Sequence, residues 1–566
     1  MRKIFASLFV GLAIVYTSYA LTVTIKEGQV EGVQKDTYAG GTFYAFFSIP
    51  YAQPPTGALR FQAPVPVESW TGVRSATAEG NICYHATSDS SDENEDCLSL
   101  NVYTPKDPST LTEKLPVLFY IHGGSFNRGS GQTKRAAGNI RPQYFMDTGK
   151  IVMVSINYRL GPFGFFATGD SVIPGNAGLK DQLLALKWVQ NNIEAFGGDP
   201  SRVTIFGESA GGASVGYHII SSASKGLFHA AILASGTCLC PWAYQRNQTE
   251  ITFKTASFID SQFETNRDSQ TLWTFLQNAT AKSIDSASRS YINWALSVNE
   301  GINGVINGQL QQGFFYAPVV ETSHTDAFLT EKPYELLESG NFNKVPTFIG
   351  ACADEGLMNY GTKIKWTLSI YDSDHSILVP QGMHITDPTI KAIVGDTIKN
   401  KYSPSENMQD NLISGINYFT DQDFQKSLVK HAELQSKHTD VYFYKFSYSG
   451  KMGGNTGNVY PGTSNVTHTE EGSYIWQRNN PADYSETDQL VHKRMVKIWT
   501  NFITENNPST GSDPDLQNIT WPKLEEGNLQ YVDITSDLTV KTDPEANYNF
   551  WKELFNKYGK GTFETF

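Results

Sequence analysis

Two stretches, residues 115–122 (LPVLFYIH) and 151–158 (IVMVSINY), are apolar without alternation. That pattern predicts strands covered on both faces, as in a parallel sheet. Residues 21–33 and 42–47 alternate instead and predict an antiparallel hairpin, after which Pro50, Pro54 and Pro55 break regular structure. Between 179 and 196 the apolar residues Leu183, Leu186, Val189, Ile193 and Phe196 recur at helical spacing. Gly197-Gly198-Asp199-Pro200 ends that helix and hands the chain to a short buried strand, Val203-Thr204-Ile205-Phe206.

The order then repeats. Residues 230–235 predict a strand, 252–280 a mixed and helical stretch, and 345–352 and 442–448 two further strands. Residues 490–503 predict an amphipathic helix carrying Leu490, Val491, Ile498, Trp499 and Phe502. Strands separated by helices predict an α/β fold: one large, mostly parallel, doubly wound sheet with helices on both faces. No internal repeat or long linker divides the chain, so residues 21–566 read as a single domain. Residues 303–313 and 449–467 read as polar, glycine-rich loops, the second of which delivers His468.

Composition adds a compartment. Arg2 and Lys3, the apolar run 4–15 and the small residues of Ser18-Tyr19-Ala20 have the form of a secretory signal peptide over residues 1–20. That run is too short to span a bilayer, and neither a later stretch nor the tail GKGTFETF supplies a membrane anchor or a retention signal. The expected chain is therefore secreted and extracellular. Removing two basic residues and no acids moves the net charge from −13 to −15, a poor match for nucleic acid or anionic membrane. Sequons at Asn247, Asn278, Asn465 and Asn518 predict glycosylation in the same compartment. Five cysteines leave at least one unpaired. Cys83 and Cys97 flank an acidic, serine-rich loop tip, where a bridge would add roughly 3 kcal/mol in the chain-entropy model. A bridge between Cys238 and Cys240 would be strained, so Cys238, Cys240 and Cys352 are expected to form no second disulfide.

The candidate chemistry centres on residues 202–222, RVTIFGESAGGASVGYHIISS. A G-x-S-x-G pentapeptide arises readily by chance in a chain with 48 glycines, but here a strand precedes it and a helical segment follows. Gly207, Ala210 and Gly211 are small enough for a sharp turn that lifts Ser209 above the sheet edge, and Gly212 lets the helix pack close. A nucleophilic serine needs a base, an acid to orient that base, and donors for an oxyanion. Glu355 follows a strand and His468 a glycine- and asparagine-rich loop, in the chain order Ser, Glu, His. Asp354, beside Glu355, reads as solvating that loop. Glu208 either completes the start of the helix or adds negative charge near the serine. His122-Gly123-Gly124-Ser125, after another strand, fits an oxyanion loop.

With these residues in place, the chain closely resembles the type-B carboxylesterase/lipase family, which includes the cholinesterases. Glu95-Asp96-Cys97-Leu98-Ser99-Leu100-Asn101-Val102 is similar to the family's EDCLxLNV signature, and residues 197–211 to its GGDPxxVTxFGxSAG signature. Tyr51-Ala52-Gln53-Pro54-Pro55, Asn157-Tyr158-Arg159, Asn176-Ala177-Gly178-Leu179 and Pro241-Trp242-Ala243 also fit. The resemblance implies an α/β-hydrolase fold and hydrolysis of small-molecule carboxylic esters without metal or organic cofactor. It implies Ser209 as nucleophile, Glu355 as acid and His468 as base, with oxyanion donors at the backbone N–H groups of Gly124, Ser125 and Ala210. Ser125 departs from the common third glycine, which narrows the pocket slightly. Trp242 matches a tryptophan of the acyl side, Phe314 falls near another acyl-pocket position, and Met358 stands near the second choline-site position.

Within that resemblance, a general secreted carboxylesterase of the arthropod kind fits best, acting on xenobiotic, dietary, odorant or pheromone esters. Cholinesterase specificity is disfavoured, because no tryptophan lies between Cys83 and Cys97 and Met358 is not aromatic. GESAG in place of GQSAG counts against a juvenile hormone esterase. Non-catalytic adhesion relatives carry a membrane span and lack the serine, the reverse of this chain. The base must be neutral to act, so activity is expected to fall below about pH 6.

Overall fold

Along the strand Leu115–Ile121 (β1), Val117, Phe119 and Ile121 enter one apolar core while Leu118 and Tyr120 enter a second on the opposite face. Side chains alternate across a strand, so an uninterrupted apolar run fills both sides of a sheet at once. The computed structural model describes residues 20–85, 91–133, 140–297, 314–359, 364–454, 460–476, 480–542 and 547–566. Of the leader only Ala20 is described, and the loop read at 303–313 lies outside the described residues.

Six further strands continue the pattern: β2 (Val152–Ile156), β3 (Gly198–Glu208), β4 (Ala230–Ala234), β5 (Thr347–Cys352), β6 (Val441–Phe446) and β7 (Gln530–Ile534). They lie in the order β2-β1-β3-β4-β5-β6-β7, every neighbouring pair parallel. Antiparallel strands extend both edges: Ser99–Thr104, Thr42–Pro50, Gly28–Asp36 and Ala20–Ile25 beyond β2, and Leu538–Thr542 beyond β7. With Val73–Ser75 beside Gly28–Asp36, one sheet holds thirteen strands. This is an α/β-hydrolase architecture.

Helices α1 (Ala177–Asn192) and α2 (Ala210–Ile220) cover one face, burying Leu186, Val189, Val215 and Ile219. Helix α3 (Ser269–Asn278) lies in the long connection from β4 to β5. Helix α4 (Glu486–Glu505) covers the opposite face with Val491, Ile498, Trp499 and Phe502, and Ser485 caps it by accepting from the Asp488 N–H. Leu490, predicted on that stripe, lies one position off it and is exposed. The central strand starts five residues earlier than its composition predicts. Gly-Asp-Pro is turn chemistry, but Gly198 pairs with Leu115 and draws the segment into the ladder. Cys83 and Cys97 form a disulfide, with Cα atoms 5.1 Å apart, while Cys238, Cys240 and Cys352 are free and buried. Among the described residues no helix is long and apolar enough to cross a membrane.

Candidate active site

Strand β3 ends at Glu208 and helix α2 begins at Ala210, so the chain reverses at Ser209 alone. Its backbone adopts φ 60° and ψ −125°, a conformation that L side chains disfavour. Two strong contacts hold it there: Ser209 N–H donates to Ala234 O at 2.8 Å, and Ala213 N–H donates to Ser209 O at 2.9 Å. Room for the turn comes from Gly211 and Gly236. A Cβ on Gly211 would meet Ile121 O at 2.1 Å, and one on Gly236 would meet Ser209 O at 2.1 Å.

The turn brings Ser209 Oγ to 2.8 Å from His468 Nε2. On the other side of the ring, Nδ1 lies 2.5 Å from Glu355 Oε2. An Nδ1–H donating to the carboxylate leaves Nε2 as acceptor for the serine hydroxyl. Glu355 follows β5 closely and is fully buried. Its other oxygen, Oε1, accepts from Cys352 N–H at 2.8 Å and from Ser235 Oγ at 2.5 Å. Asp354 does more than solvate this loop. It accepts from Ser464 N–H at 2.6 Å and donates its own N–H to Val466 O at 2.9 Å, tying the acid's loop to the segment that presents His468.

The loop after β1 packs against the serine: a Cβ on Gly123 would lie 2.5 Å from Glu208 O and 3.0 Å from Ser209 Cβ. His122 anchors it through Tyr158, whose ring stacks at 4.4 Å and whose hydroxyl donates to His122 O. Burial pushes the His122 imidazole down to about 3, so it stays neutral. Gly124 and Ser125 carry positive φ, and among the described residues no acceptor takes the N–H of Gly124, Ser125 or Ala210. A wall of rings adjoins the histidine. Phe424 lies 4.7 Å from the His468 ring and 5.7 Å from Trp242, and Trp242 lies 5.3 Å from Phe314. Phe424 stands on a π-helical turn, Asp421–Gln425, clamped by the Trp242 indole N–H on Asp423 O.

A model of the carboxylesterase family matches residues 19–551. The chain belongs to the carboxylesterase family. As a carboxylic ester hydrolase it is similar to esterase FE4 of Myzus persicae, at 34% identity over 86% of this chain and 85% of that one. It is also similar to venom carboxylesterase-6 of Apis mellifera, at 31% identity over 94% of both chains, and to juvenile hormone esterase of Tribolium castaneum, at 32% over 90% and 87%. Among solved structures it resembles juvenile hormone esterase from Manduca sexta with OTFP covalently attached, with a TM-score of 0.80, 25% identity, and coverage of 95% of this chain and all of that one.

The remaining candidates in this carboxylesterase are placed as follows. Burial pushes the Glu208 carboxyl well above its usual range, and the nearby Glu471 and Glu355 charges add to it. Burial thus opposes ionisation of Glu208 beside Ser209. Glu471 is raised by burial and by Glu355, and it accepts from Cys352 Sγ at 2.7 Å and from Tyr444 OH at 3.2 Å. Met358 is 45% exposed on the turn after Glu355. Asn247, Asn278 and Asn518 are exposed, whereas Asn465 is half-buried and its Oδ1 accepts from Tyr460 N–H. Ser235, Glu471 and Phe424 are not singled out by the sequence, whereas Asp354 is marked there by its place beside Glu355 but not by its tie to the His468 segment.

Proposed function

We propose that this chain is a secreted serine carboxylesterase that hydrolyses small-molecule esters through an acyl-enzyme on Ser209. The observation that carries this reading is the unbroken contact path from Ser209 through His468 to the buried Glu355. In the proposed cycle His468 Nε2 takes the Ser209 proton as Oγ attacks the ester carbonyl, and Glu355 steadies the imidazolium through Nδ1–H. The N–H groups of Gly124, Ser125 and Ala210 receive the oxyanion, each contributing about 3 kcal/mol by analogy with oxyanion holes. The alcohol leaves with the proton from His468. Water, deprotonated by the same ring, then frees the acid.

Trp242, Phe314 and Phe424 form the apolar wall against which the acyl chain lies, and Met358, on the turn after Glu355, is taken as a further substrate contact. No metal or organic cofactor enters the cycle. The same reading takes residues 1–20 as a removed signal peptide, residues 21–566 as one domain without a membrane anchor, and Asn247, Asn278, Asn465 and Asn518 as glycan acceptors. A second reading, hydrolysis of juvenile hormone, rests on the likeness to the Tribolium and Manduca enzymes; Glu208 in GESAG weighs against it.

The test is Ser209→Ala with 4-nitrophenyl acetate, together with labelling by a fluorophosphonate. Turnover drops by about 10⁴-fold or more, and the label on the wild-type protein maps to Ser209 alone. Full activity in the alanine variant, or a label elsewhere, defeats the assignment.

A further inference from the structure

A surface groove of about 640 Å³ runs along helix α3, well apart in sequence from the serine, histidine and glutamate segments. Ile259, Phe275 and Ala279 give it an apolar floor, and Gln270 and Thr274 line it with an amide and a hydroxyl. The last residue of α3, Asn278, belongs to the lining. Asn278 is exposed and opens the sequon Asn278-Ala279-Thr280. Asn247 and Asn518, the other exposed acceptors, do not line this groove.

We infer that the groove is the seat of the glycan carried by Asn278 itself. This rests on the secreted reading given above. The side chain already points the right way. Helical side chains lean toward the N-terminus, and Asn278 Nδ2 donates to Thr274 O at 2.8 Å, folding the amide back along α3. Glycosylation exchanges one of the two Nδ2 hydrogens for C1 of N-acetylglucosamine. The donor is an oligosaccharyl pyrophosphate, whose C1–O bond breaks as the pyrophosphate departs with the proton. The remaining N–H keeps the bond to Thr274 O, so the first sugar starts out over the groove rather than away from it.

The lining suits a sugar. One face of N-acetylglucosamine is made of C–H groups that cover the Phe275 ring and Ile259, and its hydroxyl and acetamido groups reach Gln270 and Thr274. Each contact is weak, but tethering raises the local sugar concentration to the millimolar range, where weak contacts suffice. The bound sugars also shield an apolar floor that would otherwise face solvent.

The experiment uses the full chain expressed through a eukaryotic secretory pathway. Native protein is digested with peptide N-glycosidase, and occupancy at each sequon is followed by glycopeptide mass spectrometry. The glycan on Asn278 is released at least ~10-fold more slowly than that on Asn518, and the two rates converge after denaturation. Equal rates on the native protein overturn the seat, as does an empty Asn278 beside an occupied Asn247 or Asn518. No glycan at any of the four sequons defeats the secreted reading and the seat together.

Discussion

Ser235 Oγ donates to Glu355 Oε1 at 2.5 Å, and Ser235 N–H donates to Gly350 O, so a neighbouring strand end fixes the donor. The same hydroxyl lies 3.2 Å from Glu471 Oε1. Among the described residues, Ser235→Ala leaves Glu355 with only the Cys352 N–H on that oxygen. A hydrogen bond to a charged group contributes roughly 1.5–3 kcal/mol. Steady-state kinetics on a simple aryl ester should show kcat reduced by about 10–100-fold with KM little changed. An unchanged kcat would mean that the second oxygen of Glu355 needs no such partner.

The turn at Ser209 makes a steric prediction. A methyl group at residue 211 would collide with the β1 carbonyl of Ile121, and neither backbone can retreat without opening the sheet. Gly211→Ala should destabilise the protein by more than about 3 kcal/mol or prevent its recovery in soluble form. Gly454→Ala is the control, because among the described residues nothing lies near its added methyl. Similar melting temperatures for both variants would show that the turn has slack.

Lys426 is buried against the ring faces of Trp551, Phe555 and Phe566, and among the described residues its Nζ finds no hydrogen-bond acceptor. Loss of hydration pushes its ammonium down to about 7 from 10.5, only partly opposed by Cys240 and Asp423. Between those pH values the unfolded chain holds the proton and the folded chain does not, so stability rises with pH across that window. Below about 7 the penalty is fully present. Lys426→Met should remove that slope and stabilise the protein by roughly 1–4 kcal/mol at pH 6. Denaturant melts at pH 6 and pH 10 measure both effects.

The cysteines give a chemical count. Burial pushes the Cys238 thiol up to about 12, and it raises Cys240 and Cys352 above their ordinary range as well. Buried, protonated thiols do not attack disulfide reagents. Ellman's reagent should therefore find no reactive thiol in the native protein and three after denaturation without reductant. Five would mean that Cys83 and Cys97 are not joined.

What could be read from the chain depended on how local its cause was. The strands β1 and β2 announce themselves because burial on both faces demands apolar residues at every position. The serine turn is equally legible, since the close approach of Ile121 O leaves only glycine at position 211. Gly198 was misread because a distant partner, Leu115, overrode its turn chemistry. Phe424, Ser235 and Glu471 were invisible for a related reason. Each is an ordinary residue in its own segment and gains its place only when another element packs beside it. Asp354 sits between these cases: its neighbour marked the loop, but its bond to Ser464 spans 110 residues.

The separations of 259 residues between Ser209 and His468, and 113 between His468 and Glu355, set when chemistry can begin. In the proposed cycle the base is therefore synthesised long after the nucleophile. Until the later strands dock, the hydroxyl at the turn lacks its partner ring and is an ordinary alcohol. On that reading turnover is a report on completed folding, and a product stalled before residue 468 is silent.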